Sequence, residues 1–321
     1  MTGRIPRVVV VGPTYVDMVI KCKEFPRPGS TVDGFGASCV PTGAGPNRAV
    51  EAALCDCEVA LISKVGEDPF GEMAKANLRR FRINTELLYT ASAMSTGVIM
   101  TMVDSTGENL SCISAGANRA LSADEIGCAA AESLISAADV CLICGDLPQE
   151  AVVTAIRTAE LHRTRVILET PPQDHGITRA ADLNWPVEYY DADVLIPNFY
   201  KLTEGAELGA GSAGELKLLA SELVAKGVGC VLIKLPPREV FMVDRYDTTH
   251  VPWFNLDIVD QTASRDAFAG ALAASYAVGD EPKAAVRFAC AAGALAMAKF
   301  GAQDSLPKKT KIIELLQQQP D

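Results

Sequence analysis

The second half of the sequence alternates regularly between helix-like and strand-like segments. The helix-like segments are 123–136, 149–161 and 213–226, and the strand-like runs are 140–144, 166–168, 194–196 and 228–234. Alternation of this kind predicts right-handed βαβ units, and therefore a mainly parallel sheet with helices on both faces. Ligands of such sheets bind beyond the carboxyl ends of the strands.

Polar residues follow several of the predicted strands. Val8–Val11 has the pattern of a buried first strand that continues outward through 13–20, where Asp17 lies between apolar neighbours. Such an acid needs hydrogen-bond donors, and backbone N–H groups at the end of the strand are one source. The polar residues that follow later strands are Asp146, Glu169 and Asn198. We expect all of them at the ligand-binding edge of the sheet.

The composition limits the classes of protein to which the chain can belong. Its 321 residues, 49% hydrophobic and 21% charged, suffice for one large α/β domain or two small ones. The net charge of −11 argues against a nucleic-acid or anionic-membrane surface. No apolar run reaches the length of a membrane span, and the chain starts without a secretory signal, so we expect a cytoplasmic protein.

The ten cysteines are scattered mostly singly along apolar segments. This distribution predicts small buried hydrophobes in a reducing compartment, not a disulfide framework. Cys141 and Cys144 lie in one strand-like run without a second pair at zinc-finger spacing, so we expect neither a metal site nor a redox site there.

The stretch Asp260–Leu272 carries the main candidate for catalysis. Residues 253–259 alternate like the end of a strand and 267–277 have the pattern of a buried helix, which puts Asp266 in the first turn of that helix. The free N–H groups of a helix start can receive a phosphate, and a carboxylate beside it can take a proton from a hydroxyl. Asp266 is therefore a candidate general base; the alternative is an ordinary capping acid.

This stretch resembles the signature of the ribokinase-like (PfkB) carbohydrate kinases, D-T-x-G/A-A-G-D-x-F-x-G, whose final Asp is the catalytic base. The matching residues are Asp260, Thr262, Ala263, Asp266, Phe268 and Gly270. The resemblance implies a three-layer α/β/α fold with a mainly parallel sheet and a small β-sheet lid. It also implies that Ala263, Ser264 and Arg265 hold the transferring phosphate.

Arg265 stands where the family has a nearly fixed glycine. Glycine lets the backbone approach a phosphate at unusual φ, whereas arginine brings a Cβ and a long cation. Two consequences are open. The guanidinium either replaces the backbone donors, or it blocks the phosphate and weakens Asp266 as a base.

The substrate side of the family pattern is better preserved. Thr42–Ala49 resembles the G-G-K-G-A-N-x-A substrate loop, with matches at Gly43 and Asn47. Asp17 matches the family acid that binds sugar hydroxyls, although Tyr15 replaces the asparagine of ribokinase-type members. Asp146 takes the place of an acidic sugar contact, and a loop cap is the alternative reading.

Further motifs imply the lid and one domain. A hairpin around Gly107-Glu108-Asn109, followed by Gly116-Ala117-Asn118, is similar to the ribokinase G-E-N and G-A-N combination. In that family the hairpin lies over the sugar and pairs with its counterpart in a homodimer. We therefore expect a single domain over 1–321 with lid segments at about 14–42 and 95–116.

The nucleotide side departs most from the family. Pro197-Asn198 resembles the family motif P-N-x-x-E, but Lys201 stands where the motif has its glutamate. The family motif T-L-G-x-x-G is replaced by a segment that starts at Lys234, and Pro236 in this segment has no N–H to donate. By resemblance, Asn198, Lys234 and Thr262 bind ATP, and Mg²⁺ enters with it. The segment 301–307 resembles G-A-Q-x-S-x-P, which implies a K⁺ site formed by Asp260, Thr262 and Ser305.

Together these motifs imply an ATP-dependent kinase that phosphorylates a hydroxyl of a small sugar or related polyol. The alternative is a non-catalytic sugar-binding or regulatory protein that has kept the sugar pocket and lost the nucleotide site. Arg265, Lys201 and Pro236 favour the alternative, because all three affect the phosphate side. The retention of Asp266 favours the kinase.

Overall fold

The computed structural model describes residues 4–171, 179–198, 210–235 and 239–319, in which thirteen strands form two sheets. The nine strands of the large sheet are β1 (Arg7–Val11), β4 (Glu58–Gly66), β5 (Leu88–Ala91), β8 (Val140–Cys144), β9 (Arg165–Glu169), β10 (Val194–Ile196), β11 (Cys230–Leu235), β12 (Glu239–Asp244) and β13 (Thr248–Pro252). Their order is β13-β12-β11-β10-β9-β8-β1-β4-β5. All neighbours are parallel except β11–β12 and β12–β13.

Helices cover both faces of the large sheet. They are α1 (Ala44–Leu54), α2 (Pro69–Arg80), α3 (Ala123–Ile126), α4 (Ala129–Ala137), α5 (Gln149–Leu161), α6 (Ala210–Ala225), α7 (Ser264–Val278), α8 (Pro282–Met297) and α9 (Lys309–Gln318). The residues of β1 alternate between two buried clusters, with Val8 and Val10 in one and Val9 and Val11 in the other. Because successive side chains of a strand point to opposite faces, the sheet lies between two apolar layers, which confirms the three-layer prediction.

The small sheet has the order β3-β2-β6-β7. Its strands are β2 (Tyr15–Cys22), β3 (Gly34–Thr42), β6 (Gly97–Val103) and β7 (Asn109–Ser114). The expectation that 13–20 continues the first strand is wrong, because the chain leaves the large sheet after Val11. The side chain of Asn118 fixes this exit: its Oδ1 accepts from the N–H of Thr14 at 2.8 Å, and its Nδ2 donates to the carbonyl of Thr14 at 2.8 Å.

Two further predictions of local structure are corrected. Residues 253–259 do not form a strand, since Trp253 and Phe254 are both buried in the core and Trp253 stacks on Phe268 at 6.1 Å. The helix predicted over 123–136 is divided into α3 and α4. Asp68 caps the start of α2, because its Oδ1 accepts from the N–H of Gly71 at 2.9 Å.

Every helix among the described residues is too short or too polar to cross a membrane. All ten cysteines are free. Lys201 and Pro236, on which part of the nucleotide argument depends, lie outside the described residues.

Candidate active site

Asp266 lies in the first turn of α7, as the sequence predicts. Its side chain is 15% exposed, and both carboxylate oxygens accept hydrogen bonds from α1. Nε of Arg48 donates to Oδ1 at 3.1 Å, and Nδ2 of Asn47 donates to Oδ2 at 2.8 Å. Each carboxylate oxygen has a second lone pair, so this arrangement fixes the group and still leaves acceptor capacity for a ligand hydroxyl.

Close packing of α1 against α7 makes these contacts possible. A Cβ at Gly270 would lie 2.6 Å from the carbonyl oxygen of Arg48 and 2.7 Å from Cβ of Glu51, so only glycine fits. On the other side of α1, a Cβ at Gly45 would lie 2.7 Å from the carbonyl oxygen of Gly12. These glycines bring α1 against both the end of β1 and α7, and so place Asn47 and Arg48 beside Asp266.

Arg48 also belongs to a buried ion network below Asp266. Its side chain is 6% exposed, and its Nη2 pairs with Oε2 of Glu169, at the end of β9. Oε1 of Glu169 accepts from Nζ of Lys234 at 2.7 Å. Burial alone would raise the pKa of Glu169, but Arg48, then Lys234 and then Arg265 lower it to about 2. Burial lowers the pKa of Lys234, and Glu169 opposes that effect.

The predicted phosphate-binding residues form the start of α7. Ala263 is the N-cap residue and is buried, and the N–H of Ser264 bonds the carbonyl of Gln261 at 3.3 Å. Arg265 has no positive φ, so an arginine adopts this backbone without strain. Its Nη1 lies 3.4 Å from Oδ1 of Asn198, which joins two residues that we predicted on the nucleotide side.

The predicted sugar-side residues lie where the small sheet meets α1. Tyr15 fits between two glycines: a Cβ at Gly43, where φ is +113°, would lie 3.2 Å from Cδ2 of its ring, and a Cβ at Gly97 would lie 2.6 Å from Cδ1. Burial, with a contribution from Asp146, raises the pKa of Tyr15 to about 12. The structure therefore packs Tyr15 against Gly43, and Asp146 is near enough to act on Tyr15 electrostatically.

Both sugar-side acids are held in a partly desolvated setting. Burial raises the pKa of Asp146, against an opposing effect of Arg48. Burial also raises the pKa of Asp17, whose Oδ1 accepts from Oγ1 of Thr101 at 2.9 Å. The contacts of Asp17 lie within the small sheet, and no hydrogen bond joins it to Asp266 among the residues described.

The residues expected to hold a monovalent cation lie in two loops that a hydrogen bond joins. Oδ1 of Asp260 accepts from N and Oγ1 of Thr262 at 2.9 and 2.5 Å, and Oδ2 accepts from the N–H of Gly301 at 2.9 Å. Oγ of Ser305 donates to the carbonyl of Ala302 at 2.8 Å. The donors present are carboxylate, hydroxyl and carbonyl oxygens, which suit a hard cation such as K⁺.

A dedicated Mg²⁺ site does not follow from the described residues. Glu169 is a buried acid at the end of β9, and both of its oxygens are engaged by Arg48 and Lys234. Its charge is thus already neutralised by protein cations. Such a site fits a metal ion that is held mainly by the phosphates of its nucleotide.

A cavity of about 500 Å³ lies beside the small sheet. It is bounded by Ala93–Ser95, Ile113–Gly116 and Arg119. The contacts of Asp266 are not part of its wall. A Cβ at Gly97 would lie 2.9 Å from the carbonyl oxygen of Ala115 in the cavity wall and 2.6 Å from Cδ1 of Tyr15, so the cavity lies near Tyr15.

Sequence reasoning missed several residues of this site. Arg48 was overlooked, and Cys144 was set aside although its Sγ lies 3.2 Å from Nη1 of Arg48. Gln303 was known only as part of a motif, yet its Nε2 donates to Oδ1 of Asn47 at 3.2 Å. The available signal for Arg48 was a charged residue directly after Asn47 in a helix that is mostly apolar.

Comparison with known proteins finds two sugar kinases that are similar to this chain. The chain is 29% identical over 310 residues to the ribokinase of Haemophilus influenzae, covering 96% of this chain and 97% of the relative. It is 26% identical over 309 residues to the deoxyribokinase of Salmonella typhi, covering 96% and 98%.

Similarity extends to solved structures and to a family model. The crystal structure of ribokinase from Thermotoga maritima superimposes with a TM-score of 0.82 at 26% identity, covering 98% of this chain and 100% of that one. The model of the pfkB family carbohydrate kinases matches residues 6–309. The chain therefore belongs to the pfkB family of carbohydrate kinases.

Proposed function

We propose that the protein transfers the terminal phosphoryl group of ATP to a hydroxyl of a small sugar or related polyol, with Asp266 as the general base. One observation carries the proposal: the carboxylate of Asp266 is fixed by Arg48 and Asn47 at the start of a long helix and stays partly accessible. A base must be within hydrogen-bond reach of the proton it takes, and the helix start favours the charge of the transferred group.

The acceptor would bind between the lid and α1. In this proposal, Asp17, Tyr15, Gly43, Asn47 and Asp146 orient its hydroxyls. The backbone at Gly43 allows close approach, and Asn47 offers both a donor and an acceptor. The similarity to both ribokinase and deoxyribokinase makes pentoses and deoxypentoses the first acceptors to test.

The donor would bind on the other side of Asp266. Its terminal phosphate would lie against Ala263, Ser264 and Arg265, and its remaining groups near Asn198, Lys234 and Thr262. Mg²⁺ would arrive with ATP and neutralise phosphate charge. K⁺ would be held by Asp260, Thr262 and Ser305, and would order the loop next to Gln303.

The lid is also where we propose that two copies meet. Large apolar side chains on one face of it are exposed, as follows: Met18, Ile20, Met100 and Leu110. A patch of this kind favours an interaction surface, and a homodimer would cover it.

We propose that the chain forms one domain, into which the lid is inserted. Ten free thiols and a need for ATP fit the cytoplasm.

The test is acceptor-dependent ADP release by purified protein with Mg-ATP and K⁺, across pentoses, hexoses, sugar acids and nucleosides. Asp266→Asn, assayed in parallel, should reduce turnover by roughly two to four orders of magnitude while acceptor binding changes little. Near wild-type turnover in this variant would contradict the role of Asp266.

A second candidate is a sugar-binding protein without catalysis. The observation that favours it is that Lys234 pairs with Glu169 and that Arg265 lies against Asn198, so cations of the phosphate side are engaged within the protein. Calorimetric titration with Mg-ATP separates the two candidates. A sensor should be stabilised by a sugar and should not bind Mg-ATP, whereas the kinase should bind both.

A further inference from the structure

We infer that Arg48 is a positioning residue for phosphoryl transfer, which holds the carboxylate of Asp266 in one orientation and ties it to the central sheet through Glu169. The inference rests on the proposed role of Asp266 as the base. Arg48 itself does not take part in proton transfer, because guanidinium stays protonated.

The geometry at Asp266 requires two donors. One hydrogen bond from Asn47 to Oδ2 would leave the carboxylate able to rotate about its last side-chain bond. The second, from Nε of Arg48 to Oδ1, fixes the plane of the group, because the two donors approach different oxygens. Orientation of a base within a few tenths of an ångström affects the rate strongly.

The two terminal nitrogens of the guanidinium contact the central strands of the large sheet. Nη2 pairs with Glu169 at the carboxyl end of β9, and Nη1 lies 3.2 Å from Sγ of Cys144 at the end of β8. Both strands are in the middle of the large sheet. Because the guanidinium is planar and rigid, its position relative to two central strands sets the position of its Nε, and hence of Asp266.

Stability alone does not account for an arginine at this place. The side chain is 6% exposed, and its desolvation offsets much of what a buried ion pair contributes, so an apolar residue would often serve stability as well. Arg48 also holds two acids that belong to different layers, α7 and the sheet. This arrangement can hold the carboxylate of Asp266 at a fixed position relative to the sheet, and we assign that role to Arg48.

The variants for the test are Arg48→Gln, Arg48→Lys, Asp266→Asn and the double variant Arg48→Gln/Asp266→Asn. Lys64→Met is the matched control, because Lys64 is 12% exposed and pairs with Glu125 at 2.6 Å outside the site. For each protein we would measure thermal unfolding, acceptor-dependent ADP release with ribose and 2-deoxyribose, and acceptor binding by calorimetry.

We expect Arg48→Gln to reduce kcat about 100-fold or more, with the acceptor KM within about threefold of wild type. Arg48→Lys should recover only part of the lost kcat, since lysine keeps the positive charge but lacks the planar guanidinium with its several N–H donors. The double variant should be no slower than Asp266→Asn, because a residue that acts through Asp266 has nothing left to position.

Three outcomes would overturn the inference. One is a kcat of Arg48→Gln within about threefold of wild type, and another is a loss of kcat in Lys64→Met as large as that in Arg48→Gln. The third is a double variant in which the two losses multiply. If wild-type protein releases no ADP with any acceptor, that result contradicts the proposed function itself. Failure of the positioning role alone is distinguishable, because wild-type activity is then intact and only the variants depart from the expected values.

Discussion

Gly270 of α7 lies directly against the backbone of Arg48 in α1. A Cβ at position 270 would be 2.6 Å from the carbonyl oxygen of Arg48, and backbone does not yield as the end of a flexible side chain does. Gly270 stands four residues after Asp266, on the same face of α7. The two helices therefore meet at Gly270 at the distance that the contact between Arg48 and Asp266 requires.

Gly270→Ala should separate α1 from α7 and reduce kcat, although it adds only one methyl group. Overpacking of this kind costs about 1–3 kcal/mol of unfolding free energy, and the shift should also lengthen the bond from Arg48 to Asp266. The measurements are urea unfolding and kcat. Gly214→Ala is the control, since a Cβ there meets nothing within 4 Å and a helical Gly→Ala should stabilise by about 0.5–1 kcal/mol. Unchanged activity in Gly270→Ala would show that the helix spacing does not matter.

Apolar patterns in the sequence predicted several strands and helices of the large α/β layer structure. The four valines of β1 and the apolar spacing of α5 gave these elements to within a residue, because both are local signals of burial. It failed at 253–259, where alternation looked like a strand but the chain has already left the edge of the sheet. There, Trp253 packs on Phe268, a contact that no local pattern contains.

The charged pair of α1 shows why the site was harder to predict. Arg48 and Glu51 are three residues apart on one helix, a spacing typical of an ion pair. The structure separates them: Arg48 reaches Asp266 and Glu169, while Glu51 is fully buried and its Oε2 has no hydrogen-bond partner among the described residues. Non-local packing decides the partners, so the sequence reveals the charges but not their use.

Glu51→Gln should change the pH dependence of stability. Burial raises the pKa of Glu51 well above 4.5, so the folded protein binds more protons than the unfolded chain above that pH. The wild type should therefore lose stability as pH rises beyond about 5, relative to the variant, by up to about 1.4 kcal/mol per pH unit. Urea unfolding at pH 5, 7 and 9 measures the difference. Parallel stability curves for the two proteins would refute the burial of a protonated Glu51.

Glu169→Gln should destabilise strongly at neutral pH. It leaves Arg48 and Lys234 without their shared acid, and removal of one partner from a buried ion pair costs about 3–5 kcal/mol. Because the folded pKa of Glu169 is about 2 and its ordinary value is 4.5, the stabilisation is present above about pH 4.5 and is lost as pH falls toward 2. The difference between wild type and variant should therefore shrink in acid.

The control for this prediction is Glu58→Gln. Glu58 pairs with Arg7 at 2.9 Å, but both side chains are about half exposed, so the loss should stay below about 1 kcal/mol. Free energies of unfolding at pH 7 compare the two variants. Equal losses would mean that the buried network contributes no more than a surface pair.

Arg265→Gly tests whether the arginine serves the donor or obstructs it. Arg265 adopts an ordinary backbone conformation and lies beside Asn198, so we expect its guanidinium to donate hydrogen bonds to the phosphates of ATP. The variant should then bind Mg-ATP about tenfold or more weakly, because a charge-assisted contact is lost. Arg265→Lys, which keeps the charge, should lie between wild type and Arg265→Gly. Tighter ATP binding and faster turnover in Arg265→Gly would mean the reverse: the arginine then occupies the phosphate position, and the sugar-binding role without catalysis becomes the better account of this chain.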